Sequence, residues 1–185
     1  ETEILVEDAI TFINKNYHDK FSIYDVGTGS GIIPLTIATE IKKPLKIYAC
    51  DISKEALAVA KINDDHLFNK FAKGTTIKFE IRDRLLGVND KYDLITSNPP
   101  YIKEIEDKSQ VHHATDTHEP HMALYLKDEE YDEWFATLFS QVRDCLKSGG
   151  LFLMEGHEDH LEQQAEMAKS FFKSVEVKKD YTQRN

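Results

Sequence analysis

The sequence predicts an α/β fold, a doubly wound and mostly parallel sheet with helices on both faces. Three observations point there. Short β-prone runs alternate with longer helical patterns along all 185 residues, as in a βαβ array. The first run leads into a loop of alternating glycines, Gly27, Gly29 and Gly31, that opens the next helix. The acids Asp51 and Asp83 then stand at the ends of the second and third runs. Right-handed crossovers assemble such an array into one parallel sheet, with the ligand crevice at the carboxyl ends of its strands.

Each element follows in order. From Glu3 to Asn16, the apolar residues Ile4, Leu5, Ala9, Ile10 and Ile13 form a helical stripe. Ser22 to Val26 reads as a buried strand, and Gly31 to Ile41 as a helix that tolerates Pro34 in its first turn. Lys46 to Cys50 is the second strand, and Ser53 caps a helix through Ala56, Leu57, Val59, Ala60 and Ile62. Ile77 to Ile81 is the third strand and Tyr92 to Ser97 the fourth.

Lys103 to His121 has no periodicity and is expected to be a loop, mobile when empty and ordered over bound substrate. Glu130 to Leu146 is a helix stopped by Ser148-Gly149-Gly150. Leu151 to Met154 makes a fifth strand, His160 to Phe172 a helix, and Val175 to Lys178 a sixth strand. With no repeat or linker, residues 1–185 are expected to form one domain.

Composition narrows the class. At 41% hydrophobic and 30% charged residues, the chain is globular rather than disordered. Its net charge of −10 argues against a broad basic surface, so nucleic acid is not the expected partner. No apolar run nears the ~20 residues of a membrane span, and no signal-peptide pattern opens the chain. The start at Glu1 rather than Met suggests a fragment or a trimmed terminus. Cys50 and Cys145 lie in the apolar runs IYAC and VRDCL, which fits buried thiols in a reducing cytoplasm.

The glycine loop reads Asp25-Val26-Gly27-Thr28-Gly29-Ser30-Gly31. Its glycines allow a tight turn and a close backbone approach to a ligand beneath the helix N-terminus. A dinucleotide fingerprint would place its third glycine at position 32, where this chain has Ile32. The departure favours a ligand without pyrophosphate. Asp51, followed by Ile52, comes twenty residues after Gly31, where a carboxylate can accept both ribose hydroxyls. Asp83, followed by Arg84, can accept from an adenine amino group. A nucleoside without phosphate but with a cationic amino-acid tail is S-adenosylmethionine, and its demethylated product is S-adenosylhomocysteine.

The run Asn98-Pro99-Pro100-Tyr101 ends the fourth strand. A plain turn would use other residues. An amide or aryl-amine nitrogen has a delocalised, weakly nucleophilic lone pair. Two acceptors on its two N–H groups hold it in line with the methyl and aim that lone pair at carbon. The Asn98 side-chain oxygen and the Pro99 carbonyl can be those acceptors, with proline's fixed φ aiming the second. Tyr101 offers a π-face to the planar group. Such a clamp serves any planar NH2, whether a carboxamide or a nucleobase.

The segments ETEILVE, DVGTGSG, DISKEALAVAKIN, SNPPYI and EPHMAL resemble the HemK/PrmC family of protein-glutamine N5-methyltransferases, over nearly the whole chain. The resemblance implies a Class I S-adenosylmethionine-dependent methyltransferase acting on the Gly-Gly-Gln glutamine of peptide chain release factors. It implies a cofactor site of Asp25, Gly27, Thr28, Gly29, Gly31, Asp51, Ile52, Asp83, Arg84 and Asn98. Asn98, Pro99 and Tyr101 would be catalytic, with Pro100 and Glu119 also touching substrate. In the family a Thr-Glu pair, here Thr2 and Glu3, opens the catalytic domain after a helical N-terminal domain, which this chain lacks. A final antiparallel strand is expected beyond Asn185. The chain departs from the family at Tyr125 to Asp128, where glycines are usual, and at Arg84, where an apolar residue often stands.

Two other functions compete. An adenine-N6 methyltransferase on DNA or RNA would use the same clamp but needs a basic channel for a flipped base. An idle S-adenosylmethionine-binding subunit would not need the clamp. No metal is expected. The histidines from His112 to His121 lack regular spacing, and His157 and His160 are three apart rather than the four of a zincin helix.

Overall fold

The computed structural model describes residues 2–107 and 125–178. It divides into two compact units, Glu1–Asn98 with Asp144–Glu155, and Pro99–Arg143 with Gly156–Asn185.

The first unit holds helices α1 (Thr2–Asn16), α2 (Ile32–Glu40) and α3 (Lys54–Leu67). Its strands are β1 (Ser22–Val26), β2 (Lys46–Asp51), β3 (Thr76–Ile81), β4 (Tyr92–Ser97) and β7 (Leu146–Met154). The sheet order is β3-β2-β1-β4-β7, and every pair is parallel. Chain order reverses between β1 and β4, so the ligand crevice of this Rossmann-like, doubly wound sheet lies above that pair.

Leu5, Val6, Ala9 and Ile13 of α1 pack with Ile33, Ile37 and Ala38 of α2 against Ile23, Ile47 and Leu94 of the sheet. Burying each such large side chain contributes roughly 1.5–3 kcal/mol. Tyr24 alternates with Ile23 and stacks in a separate cluster with Tyr48 and Tyr92, ring centroids 4.9–6.3 Å apart. The expected cap of α3 forms: the Ser53 hydroxyl accepts from Ala56 N–H at 3.1 Å.

The second unit contains β5 (Ile102–Lys103), β6 (Tyr125–Leu126), most of α4 (Tyr131–Cys145), and α5 (Leu161–Ala168). The two short strands pair in parallel. Helix α4 buries Tyr131, Phe135, Leu138, Phe139 and Val142, spaced as one helical face. Phe135 and Phe139 lie 6.1 Å apart, and Phe171 and Phe172 each lie 6.0 Å from Phe139.

Three local expectations are corrected. Ser148-Gly149-Gly150 does not stop a helix but lies inside β7, at a register shift against Tyr92 and Leu94. Gly150 is required there, because a Cβ would meet backbone oxygens of Asp93 and Lys147 at 3.0 Å. Val175 to Lys178 forms no strand, and the helix expected from His160 to Phe172 regularises only as α5. The loop expected from Lys103 begins as strand β5, whose pairing with β6 local periodicity could not reveal. From residue 108 onward the expected loop, with Glu119 and the histidines His112 to His121, lies outside the described residues.

Candidate active site

Gly27, Gly29 and Gly31 all take positive φ, at 69°, 55° and 84°. This succession of left-handed residues turns β1 into α2 within five positions, a path closed to side chains at little cost only through glycine. Thr28 N–H donates to the Cys50 carbonyl at 2.9 Å, pinning the loop to the end of β2. A Cβ on Gly31 would lie 2.9 Å from Leu35 Cδ1 and 3.3 Å from Ala60 Cβ, so this glycine serves helix packing. A Cβ on Gly29 would meet nothing within 4 Å, so its backbone is open to a ligand.

Asp51 ends β2 and is partly buried. Its Oδ2 accepts the Gly29 N–H at 2.8 Å and its Oδ1 accepts the Ser53 N–H at 2.9 Å. Each oxygen keeps capacity for another donor. The carboxylate thus both braces the glycine loop and can receive hydroxyls. Ile52 beside it is 52% exposed, an apolar face next to a polar bracket, as a nucleoside would require.

Asp25 precedes the loop and is fully buried. The Thr96 hydroxyl donates to its Oδ1 at 2.6 Å, while its Oδ2 has no hydrogen-bond partner. The buried Thr28 hydroxyl likewise makes no hydrogen bond of good geometry. Burial pushes the Asp25 carboxyl up to about 7, and the Thr96 hydrogen bond only partly opposes this. An orphaned buried acceptor at the foot of a glycine loop fits a ligand that brings positive charge.

Asp83 is differently placed. It is half exposed, and Arg84 engages both its oxygens, with Nε at 2.8 Å and Nη2 at 3.0 Å. Arg84 is the one described non-glycine residue at positive φ, 50°, which turns its guanidinium back onto its neighbour. Each Asp83 oxygen thus already takes one donor from Arg84 and, as at Asp51, keeps capacity for a second.

Asn98 ends β4 across the reversal point from the glycine loop. A Cβ on Gly27 would lie 3.9 Å from the Asn98 carbonyl oxygen. The Asn98 Nδ2 donates to Thr2 Oγ1 at 3.2 Å, and that hydroxyl donates to Glu155 Oε2 at 2.7 Å. Sequence reasoning missed Glu155. The available signal was the one that singled out Asp51, an acid at the end of a β-prone apolar run.

In the second unit, Pro99 is buried and Pro100 and Tyr101 are partly buried. The Tyr101 carbonyl accepts from the Tyr131 hydroxyl at 3.0 Å, which in turn accepts from Gln164 Nε2 at 2.8 Å. The Tyr101 ring lies 6.3 Å from that of His157. Nearby, the buried His160 Nε2 contacts Asp107 at 2.9 and 3.1 Å, and Asp107 Oδ2 also accepts the Lys103 N–H at 2.8 Å. Asp107, His157 and His160 could converge on a metal. The carboxylate's contacts to an N–H and an imidazole already account for the arrangement as a hydrogen-bonded pair. Among the described residues, no helix is long and apolar enough to cross a membrane.

A family model described as a methyltransferase domain matches residues 17–184. The curated Release factor glutamine methyltransferase of Koribacter versatilis is 36% identical over 157 residues, covering 84% of this chain and 52% of that protein. The protein of the same name from Clostridium acetobutylicum is 33% identical over 182 residues, covering 98% of this chain and 62% of its own. The chain therefore spans between about half and three fifths of these relatives. Among solved structures, a ribosomal protein L11 methylase from Lactobacillus delbrueckii subsp. bulgaricus superposes with a TM-score of 0.56 at 21% identity, covering 90% of this chain and 65% of that one.

Proposed function

Because this chain belongs to the methyltransferase-domain family, whose model spans residues 17–184, we propose that it methylates the side-chain amide nitrogen of a protein glutamine. The methyl donor is S-adenosylmethionine, and the acceptor is the Gly-Gly-Gln glutamine of a peptide chain release factor, met in the cytoplasm. The names carried by its relatives support the substrate.

The observation that carries the chemistry is the place of Asn98, directly after β4, with its backbone carbonyl 3.9 Å from the Cβ position of Gly27 and its side-chain Nδ2 held by Thr2 Oγ1 at 3.2 Å. The residue thus stands beside the glycine turn with one end of its amide already engaged. Bound S-adenosylmethionine supplies an electrophilic methyl on a sulfonium, which leaves as a neutral thioether. Asp51 accepts ribose hydroxyls, Ile52 covers the base, and Asp25 Oδ2 meets the cationic end. Asn98 Oδ1 and the next carbonyl in the chain, that of Pro99, accept the two N–H protons of the glutamine. The amide nitrogen's lone pair forms the new N–C bond as the S–C bond breaks toward sulfur. The N-methylated nitrogen is then a strong acid and loses one proton to solvent water, so no strong base is needed. Positioning of this kind supplies several kcal/mol of the barrier reduction.

Incubation with methyl-labelled cofactor and separate pools of release factor, DNA and RNA tests this. Label in the release-factor glutamine is expected. Label in nucleic acid alone would make the adenine-N6 reaction the right one, which the net charge of −10 disfavours.

A further inference from the structure

We propose that Thr2 and Glu155 are positioning residues for Asn98, passing a carboxylate's demand for a proton through one hydroxyl so that the amide turns its oxygen, not its NH2, to the methyl acceptor. This rests on the reading of Asn98 as the acceptor clamp.

The two ends of a carboxamide are nearly identical in shape and opposite in hydrogen-bonding sense. An asparagine that must present Oδ1 to an incoming NH2 therefore needs something that selects its face. Thr2 Oγ1 lies 2.7 Å from Glu155 Oε2 and 3.2 Å from Asn98 Nδ2. A hydroxyl has one proton to give. An ionised carboxylate can only accept, so that proton goes to Glu155. The hydroxyl then offers Asn98 only lone pairs, and only the NH2 end can meet them. The flipped amide would set oxygen against oxygen with no proton between. The polarity of the clamp is thereby fixed by a charge two links away.

Three elements converge to build this relay. Thr2 begins α1 and Asn98 follows β4. Glu155 follows β7, and its own N–H donates to the Ser97 carbonyl at 3.1 Å, next to the asparagine it governs. Both side-chain contacts are partly buried, so water competes weakly for them.

The test compares Thr2→Val, Thr2→Ser, Glu155→Gln and the Thr2→Val/Glu155→Gln double variant. Each is assayed for kcat, KM, S-adenosylhomocysteine affinity and melting temperature. Valine keeps the shape and loses both hydrogen bonds; glutamine lets the hydroxyl's proton turn either way. We expect kcat to fall roughly 10- to 100-fold in Thr2→Val and Glu155→Gln, with product affinity within about twofold of the parent chain. Thr2→Ser should restore the rate, and the double variant should be no worse than the poorer single. A readout independent of turnover is the proton exchange of the Asn98 side-chain NH2, slow in the parent chain and faster in Thr2→Val. Unchanged kcat and unchanged exchange in Thr2→Val would overturn the relay. So would a rate loss that tracks lost product affinity and melting temperature, which is what a purely structural contact would give. If the parent chain labels adenine rather than glutamine, the substrate reading fails while these variants still decide the relay, since it requires only an NH2 acceptor.

Discussion

Gly29 donates its backbone N–H to the Asp51 carboxylate at 2.8 Å, joining the glycine loop to the end of β2. One acid therefore holds the turn, and in the proposed reading it would also receive the cofactor's ribose hydroxyls. Asp51→Ala removes both. Charge-assisted hydrogen bonds of this type contribute roughly 1.5–3 kcal/mol each. S-adenosylhomocysteine affinity should fall roughly 10- to 150-fold by calorimetry, with Asp51→Asn intermediate. Affinity unchanged in Asp51→Ala would remove Asp51 from the site.

Gly29→Ala and Gly31→Ala separate binding from stability. The first adds a methyl that touches no protein atom, at a φ of 55°. It should cost roughly 1–2 kcal/mol of backbone strain and, in addition, block the ligand's approach. The second drives a methyl to 2.9 Å from Leu35 Cδ1, and it should lower the melting temperature more than Gly29→Ala does. Calorimetry beside thermal unfolding reads the two effects. Equal stability losses would show that helix packing is not what requires Gly31.

Asp25 gives the fold a pH dependence. Its carboxyl is raised to about 7 from the ordinary 3.8 by burial. Between those values the folded chain holds a proton that the unfolded chain has released. Stability therefore declines as pH rises from about 4 to about 7, by at most a few kcal/mol at about 1.4 kcal/mol per pKa unit. Asp25→Asn should flatten that slope in urea unfolding at a series of pH values. A variant whose slope matches the parent chain would show that Asp25 titrates normally.

Asn98→Ala should abolish methyl transfer, by roughly a thousandfold or more, while S-adenosylhomocysteine still binds. The loss would come from the acceptor nitrogen's freedom to rotate away from the methyl. Retention of the parent rate in single-turnover assays would eliminate the clamp mechanism for any substrate.

Asp107, His157 and His160 should bind no stoichiometric metal. The His160–Asp107 pair at 2.9 Å, with Lys103 N–H on the same carboxylate, already engages two of these groups, and His157 Nδ1 accepts the Asp159 N–H at 3.3 Å. Elemental analysis of protein purified without a tag checks this, and one equivalent of zinc per chain would reverse it.

Much of the sheet could be read locally. The strands from Ser22, Lys46 and Tyr92 begin and end within a residue of their expected bounds, because buried parallel strands are short apolar runs between breakers. The positions of the glycine loop, Asp51 and Asn98 were legible for a similar reason, since each sits at or just after a strand end, where breakers and polar residues interrupt the apolar run. The C-terminal third was less legible. Ser148-Gly149-Gly150 looks like a helix stop in sequence, yet it widens β7 past an irregularity in its pairing with β4. The contact of Arg84 to both oxygens of Asp83, made from a positive φ, is something no local rule foretells.

By itself, then, the sequence determined the βαβ order and the cofactor class and suggested the planar-NH2 clamp, because periodicity, glycine spacing and the Asn-Pro-Pro-Tyr run are properties of adjacent residues. Only the tertiary structure supplies the contacts from which the orientation of the Asn98 amide is inferred. Thr2 and Asn98 are 96 residues apart, and Thr2 and Glu155 are 153 apart. Their hydrogen bonds exist only once α1, β4 and β7 are packed side by side. The polarity of an amide is set by the donors and acceptors that surround it in space, and chain proximity supplies none of them here.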